Sequence, residues 1–212
     1  MAILEGGPNG GFRGKVGSVV GYSRYGTWII RSLPKKKKRK RKPTSKELVC
    51  RTGFSAVQNF LKPLLPFIRV GFNLEAKSRN MSAHNAAKSS IMLSALDANG
   101  QIDFSKVNLS NGNLTGVKAP RLAVDDAGLH VSWENNESDP GVGYNDQVML
   151  AVYSEEVHRA SFILSGSRRS EGYELLELTE LETGHLYHVW IAFISDDRMR
   201  ISTSNYLGTV QY

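Results

Sequence analysis

Eight consecutive cationic residues, Lys35, Lys36, Lys37, Lys38, Arg39, Lys40, Arg41 and Lys42, stand between Pro34 and Pro43 with no acid among them. A proline at each edge and a row of mutually repelling side chains make a helix or strand costly there, so the run reads as a solvated, extended arm. Its natural partner is a polyanion. Fully extended, such a run reaches about 26 Å. Duplex DNA carries one charge per roughly 1.7 Å, which allows about four to six phosphate contacts at once. Contacts of this kind carry no base information.

Of 212 residues, 41% are hydrophobic and 22% charged, enough apolar material for one large domain or two small ones, and not the composition of a disordered chain. Charge changes abruptly along the chain. Residues 1–118 hold 21 Lys/Arg against 5 Asp/Glu, and residues 119–212 hold 6 against 15. Such opposition points to a basic half facing a polyanion and an acidic half turned away from it, or else to two halves that attract one another. A single cysteine, Cys50, excludes an intrachain disulfide framework. No stretch approaches the roughly 20 apolar residues that span a bilayer, and the glycine-rich N-terminus lacks the apolar segment of a secretory signal. The expectation is a soluble protein with no membrane span, cytoplasmic or within a particle assembled in the cytoplasm.

Eight glycines fall within residues 1–26, a composition suited to tight turns or close approach of the backbone to something large. Val16 to Tyr22 and Thr27 to Arg31 are β-branched and aromatic runs around a glycine-bearing turn, and they predict a hairpin. A two-stranded ribbon is marginal alone, so it lies on the helices that follow or on a partner, with Tyr22 and Trp28 as packing residues. Thr44-Ser45-Lys46-Glu47 has the spacing of a capping box and starts a helix. Its apolar set, Leu48, Val49, Ala56, Val57, Phe60, Leu61 and Leu64, covers one broad face. Pro63 and Pro66 break or restart it, and a second helix is expected from Ser82 to Leu96.

Short strands are expected at Ile102 to Phe104, Val107 to Leu109 and Leu114 to Val117. From Leu129 onward, strand candidates and turn residues alternate at the spacing of a β-sandwich. On the strand from Leu186, Tyr187, Val189, Ile191 and Phe193 fall on one face and Trp190, Ala192 and Ile194 on the other. A sandwich needs one apolar face, so the second packs on the helical half or on another subunit. The expected fold class is α+β: a basic N-terminal β-hairpin plus helices, then a C-terminal sandwich. The expected divisions are 1–34 (glycine-rich segment and hairpin), 35–43 (polybasic linker), 44–118 (helical region with short strands) and 119–212 (sandwich).

Ala119-Pro120 and then Leu129-x-Val131-x-Trp133 place a tryptophan on the inward face of an early strand, and Leu181, Gly184 and Tyr187 are spaced as in a tyrosine corner. Residues 119–212 therefore resemble a fibronectin type III domain, which implies a binding or spacing role rather than catalysis. Over its full length the chain also resembles an uncharacterised family of bacterial proteins of about this size. The matching residues are Gly14-Lys15-Val16-Gly17-Ser18-Val19-Val20-Gly21, Arg31-Ser32-Leu33-Pro34, Thr44-x-x-Glu47-Leu48-x-x-Arg51-x-x-Phe54, the strand containing Trp133, and Tyr206-Leu207-Gly208. That resemblance implies an architecture and no activity.

Arg13, Lys15, Arg24 and Arg31, interleaved with Tyr22, Tyr25 and Trp28, extend the polybasic run into a surface that can stack on single strands. Together these residues are the candidate nucleic-acid or polyanion site. The competing readings are an arm that binds an acidic protein, lipopolysaccharide or the chain's own acidic half, and a nuclear import signal. A phosphate-binding loop is excluded, because Gly14-Lys15 is followed by Val16 and the required earlier glycine is Asn9. His84, His130, His158, His185 and His188 show no metal spacing, and His130 and His188 are expected to point outward. Cys50 is expected buried or half-buried. Asp125-Asp126 and Asp196-Asp197 read as turn acids. No nucleophile, base or metal set assembles, so the chain is read as non-enzymatic and without cofactor. The expected role is a nucleic-acid-binding structural or assembly protein of a phage-like particle, nucleoid or ribonucleoprotein, with other proteins contacted through the sandwich. The alternative is an interaction module of the cell surface.

Overall fold

The computed structural model describes residues 2–4, 7, 10–35, 41–136, 139–178 and 181–212, and the chain divides into two units, residues 1–44 and 45–212. The first unit is a four-stranded antiparallel sheet of β1 (Ala2–Leu4), β2 (Phe12–Val16), β3 (Val19–Arg24) and β4 (Thr27–Ser32), in that order. The expected hairpin is β3–β4. Its turn residues Tyr25 and Gly26 both have positive φ, 49° and 78°, as a two-residue type I′ connection requires. The glycine-rich segment, read as turns, supplies two further strands. Its glycines allow close approach to the unit's own aromatics: a Cβ on Gly11 would sit 1.9 Å from the Trp28 indole, and one on Gly21 2.4 Å from the Phe12 carbonyl oxygen.

The second unit begins with α1 (Ser45–Leu61), α2 (Leu65–Gly71), α3 (Asn73–Ser78) and α4 (Ala83–Ser94). Helix α1 starts directly after Thr44 and ends just before Pro63, where the sequence places its signals. The Ser82 hydroxyl caps α4 by accepting from the Asn85 N–H at 3.2 Å. The broad apolar face expected for α1 is shorter than the sequence implies, because burial begins at Gly53 and continues through Val57, Phe60 and Leu61. Leu48, Val49 and Cys50 are exposed instead. The first two turns hold no buried residue, although Gly100 approaches the Val49 carbonyl closely, where a Cβ would sit 2.9 Å from it.

Seven strands follow: β5 (Arg121–Asp125), β6 (Gly128–Ser132), β7 (Gln147–Ser154), β8 (Arg159–Ile163), β9 (Tyr173–Leu176), β10 (Leu186–Ile194) and β11 (Asn205–Gln211). They form a three-stranded antiparallel sheet, β5-β6-β9, and a four-stranded one, β11-β10-β7-β8. Tyr187, Val189, Ile191 and Phe193 of β10 join Val148, Leu150 and Val152 of β7 in a core shared with Leu129 and Val131 of the other sheet and with Trp133 just after β6. Trp190, Ala192 and Ile194, with Met149, Ala151 and Tyr153, face the other way onto Val57, Phe60, Leu61, Phe67 and Ile91 of the helices. Helices, four-stranded sheet and three-stranded sheet are thus three layers around two cores, so the helical region and the sandwich form one unit. The fold is α+β with a sandwich-like C-terminal part.

Residues 102–117 differ from expectation. Ile102 and Leu114 make only single bridges, to Leu96 and Ser202, and Phe104–Lys106 is a 3₁₀ turn. Side chains and isolated backbone bonds replace the ladder: the Trp190 Nε1–H donates to the Val107 carbonyl at 3.0 Å, the Leu109 N–H to Ser204 Oγ at 2.8 Å and the Leu114 N–H to the Ile201 carbonyl at 3.0 Å. The corner geometry is present, with the Tyr187 hydroxyl donating to the Glu182 carbonyl at 2.8 Å.

A buried arginine ties the loops at one end of the sandwich. Arg169 is 0% exposed, donates to the carbonyls of Thr115 (2.7 Å) and Gly116 (2.9 Å) and to Asn136 Oδ1 (2.9 Å), and lies over the Phe193 ring. Its Nε faces buried Asp146 at 3.4 Å, and its own carbonyl accepts from the Trp133 indole at 2.8 Å. Removing one member of a buried pair leaves an uncompensated charge. Arg169→Met should lower the unfolding free energy in urea by roughly 3–5 kcal/mol, and adding Asp146→Leu should recover part of it. A double variant no more stable than the single one would contradict this account.

His188 is also not where the sequence puts it. The far side of its strand is covered, and its ring stacks 4.1 Å from that of Phe104 while Nδ1 lies 2.9 Å from the Tyr206 hydroxyl. Burial pushes its pKa below the ordinary value, and burial followed by nearby Lys88 does the same to His84. The unfolded chain therefore binds the extra proton first, so stability is full above about pH 6.5 and falls as the pH drops from there through the folded values. Stability measured from about pH 7 down to about pH 5 should decline less steeply in His188→Gln than in the parent. Equal slopes would show that this ring is not the titrating group.

Candidate polyanion interface

Charge is concentrated in the first unit. Residues 1–44 carry twelve Lys/Arg and one acid, Glu5, whereas residues 45–212 carry fifteen and nineteen. The boundary that matters electrostatically is thus the one between the units, and it lies well before residue 118.

Strand register sorts these charges by face, since directly opposite residues of antiparallel strands share a face and successive residues alternate. Lys15 is opposite Val20, and Val20 is opposite Arg31, so the three form one row across β2, β3 and β4. Tyr22 with Ile29, and Arg24 with Thr27, are the next rows on that same face. The opposite face carries Val16, Val19 and Ser32, then Gly14, Gly21 and Ile30, then Ser23 and Trp28, with no charge in any row. Lys15, Arg24 and Arg31 are exposed, and Tyr22, Val20 and Ile29 are half-buried. The Arg31 guanidinium lies over the Tyr22 ring, 5.7 Å from its centroid, and that of Arg24 over Tyr25 at 5.4 Å.

Arg13 is exposed on β2 opposite Ile3, separated from Lys15 by Gly14, whose φ of 112° interrupts the pleat between them. Lys35 is exposed beyond β4, and Arg41 and Lys42 are exposed before Pro43. Lys36, Lys37, Lys38, Arg39 and Lys40 lie outside the described residues. Among the described residues, Arg13, Lys15, Arg24, Arg31, Lys35 and Lys42 enter no salt bridge. Sequence spacing alone does not separate Trp28 from Tyr22. The register does, placing Trp28 on the uncharged face.

The second unit carries fifteen bases against nineteen acids, and several of its polar groups are tied to one another. His130 Nε2 lies 2.8 Å from Asp125 Oδ1 while its Nδ1 meets the Tyr173 hydroxyl at 2.6 Å, and His185 pairs with Glu156 at 2.5 Å. The bond from His130 helps hold the Asp125 carboxyl below its ordinary pKa. Asp125 and Asp197 each accept a backbone N–H two residues on, from Ala127 and Met199, as turn acids do. A cleft of about 420 Å³ is lined by Thr52, Asn59, Gln101, Tyr153, Glu155 and His158. Burial pushes the Tyr153 phenol up to about 12, and its hydroxyl is engaged by His158 Nδ1 at 3.1 Å. Arg169, which sequence reasoning missed, was signalled by no motif; its partners are 23 to 54 residues away in the chain.

No group of three or more His, Cys, Asp or Glu able to hold a metal ion occurs among the described residues. No helix among them is long and apolar enough to cross a membrane. Comparison with curated proteins gives no match. A family model, however, matches residues 11–208, from the start of β2 into β11, and so spans both the cationic sheet and the layered second unit; the chain belongs to this family of unknown function, DUF6266.

Proposed function

We propose that this chain is a non-enzymatic structural or assembly protein that binds nucleic acid, or another polyanion, through residues 1–44. The observation that carries the reading is the row of Lys15 and Arg31, with Arg24 two rows further along the same face, followed in the chain by eight uninterrupted cations. Lys15, Arg24 and Arg31 are exposed and enter no salt bridge among the described residues, and cations so placed release condensed counterions when they meet phosphates. A unit with one acid against twelve bases has little internal means of neutralising them. The second unit presents the protein-contact surface in this reading. Its strand order and the Tyr187 to Glu182 bond support a fibronectin type III-like sandwich. Cytoplasmic assemblies such as a phage-like particle, nucleoid or ribonucleoprotein are the setting we propose.

A salt-dependent mobility shift on generic DNA and RNA tests this, comparing the intact chain with one whose residues 35–42 are replaced by Gly/Ser. With about four to six phosphates neutralised, affinity should fall roughly a hundred- to a thousandfold between about 50 and 200 mM salt. The replacement should remove most of that dependence, and Lys15→Ala with Arg31→Ala should reduce the salt slope by about two. Equal, negligible retention of both proteins at low salt would reject the reading.

A further inference from the structure

We propose that the charged face of the N-terminal sheet is a stacking platform for single-stranded nucleic acid, with Tyr22 as the stacking ring and Lys15, Arg24 and Arg31 as its phosphate contacts. The inference rests on the polyanion reading above and narrows it to one ligand class. A polybasic run alone attracts any polyanion and distinguishes none of them. The sheet face is chemically different from that run. Its centre is apolar and aromatic, with Val20, Tyr22 and Ile29 adjacent along and across β3 and β4, while Lys15 and Arg31 bound it on one side and Arg24 on the other.

A purely electrostatic surface gains nothing from an apolar centre. Unpaired bases do, because each exposes a π-face that stacks on an aromatic ring while its phosphates reach surrounding cations. A duplex keeps those faces buried in its own stack. Lys15 and Arg31 stand two strands apart, about 10 Å between backbones, on either side of Val20, with Tyr22 in the next row of the same face. The Arg31 guanidinium lies over the Tyr22 ring at 5.7 Å from its centroid, near the outer limit of a cation–π contact, so a base stacking on that side takes the place of a weak contact. The opposite face has an exposed indole, Trp28, lying against Gly11, but no cation in its rows to hold the phosphates of a stacked base.

The test is fluorescence anisotropy of the full chain with a labelled mixed-sequence single strand of about 20 nucleotides, its blunt duplex, and heparin as competitor. The single strand should bind about tenfold or more tighter than the duplex. Tyr22→Leu should weaken the single strand about tenfold while duplex affinity moves less than about twofold, and Tyr22→Phe should retain the parent behaviour. Photocrosslinking of the unmodified protein to a 5-iodouridine strand should map to Tyr22, a readout that does not depend on how a variant folds. Equal affinity for both forms, an equal or absent effect of Tyr22→Leu, or crosslinks confined to residues 35–42 would each overturn the inference. If duplex binding persists in those cases and is lost on replacing residues 35–42, the broader polyanion reading stands without it. Binding of heparin with neither nucleic acid bound would sink both the platform and its nucleic-acid basis.

Discussion

The four-stranded sheet β11-β10-β7-β8 is apolar on both faces, and the architecture of residues 45–212 follows from that. A sheet exposed on either side would leave Trp190 and Ile194, or Tyr187 and Phe193, in water, and burying one such side chain is worth roughly 1.5–3 kcal/mol. The chain meets the demand with a second sheet on one face and the helices on the other. Each layer therefore depends on the one in the middle. Trp190 shows the coupling at a single residue, because its ring packs among helical side chains while its N–H satisfies the carbonyl of Val107 in the connecting segment.

The first unit solves a different problem with different means. A sheet of this size, its strands three to six residues long, cannot enclose a core of its own. It covers part of one face by laying Gly11 on Trp28 and Phe12 on Gly21, and it leaves the other face to Lys15, Arg24, Arg31 and Tyr22. Glycine is needed where backbone and ring approach so closely. The unit's twelve bases are consistent with a surface whose complement is supplied by a ligand.

Local signals were readable in the sequence and long-range ones were not. The start of α1 follows from Thr44-x-x-Glu47 and its end from Pro63, both short-range effects of backbone hydrogen bonding. The double-faced character of β10 follows from strict alternation. Segment 102–117 misled because its β-branched and apolar residues are buried, as strand residues would be, yet pair through side chains and single bridges. Cys50, Leu48 and Val49 misled because helical periodicity says which side chains share a face but not where the covering layer stops. Arg169 was invisible because its partners come from distant loops. The candidate site was half legible: its cations were chosen from composition, and only the register among β2, β3 and β4 shows that Lys15, Arg24, Arg31 and Tyr22 share a face that Trp28 does not.

The central claim is that polyanion contact is confined to the first unit. Hydrogen–deuterium exchange of the full chain, with and without a saturating oligonucleotide, tests it directly by locating the footprint. The account predicts slowed exchange across residues 12–32 and 35–42 with the layered second unit unchanged. Protection on the strands or helices of residues 45–212, with none in the first unit, would contradict it.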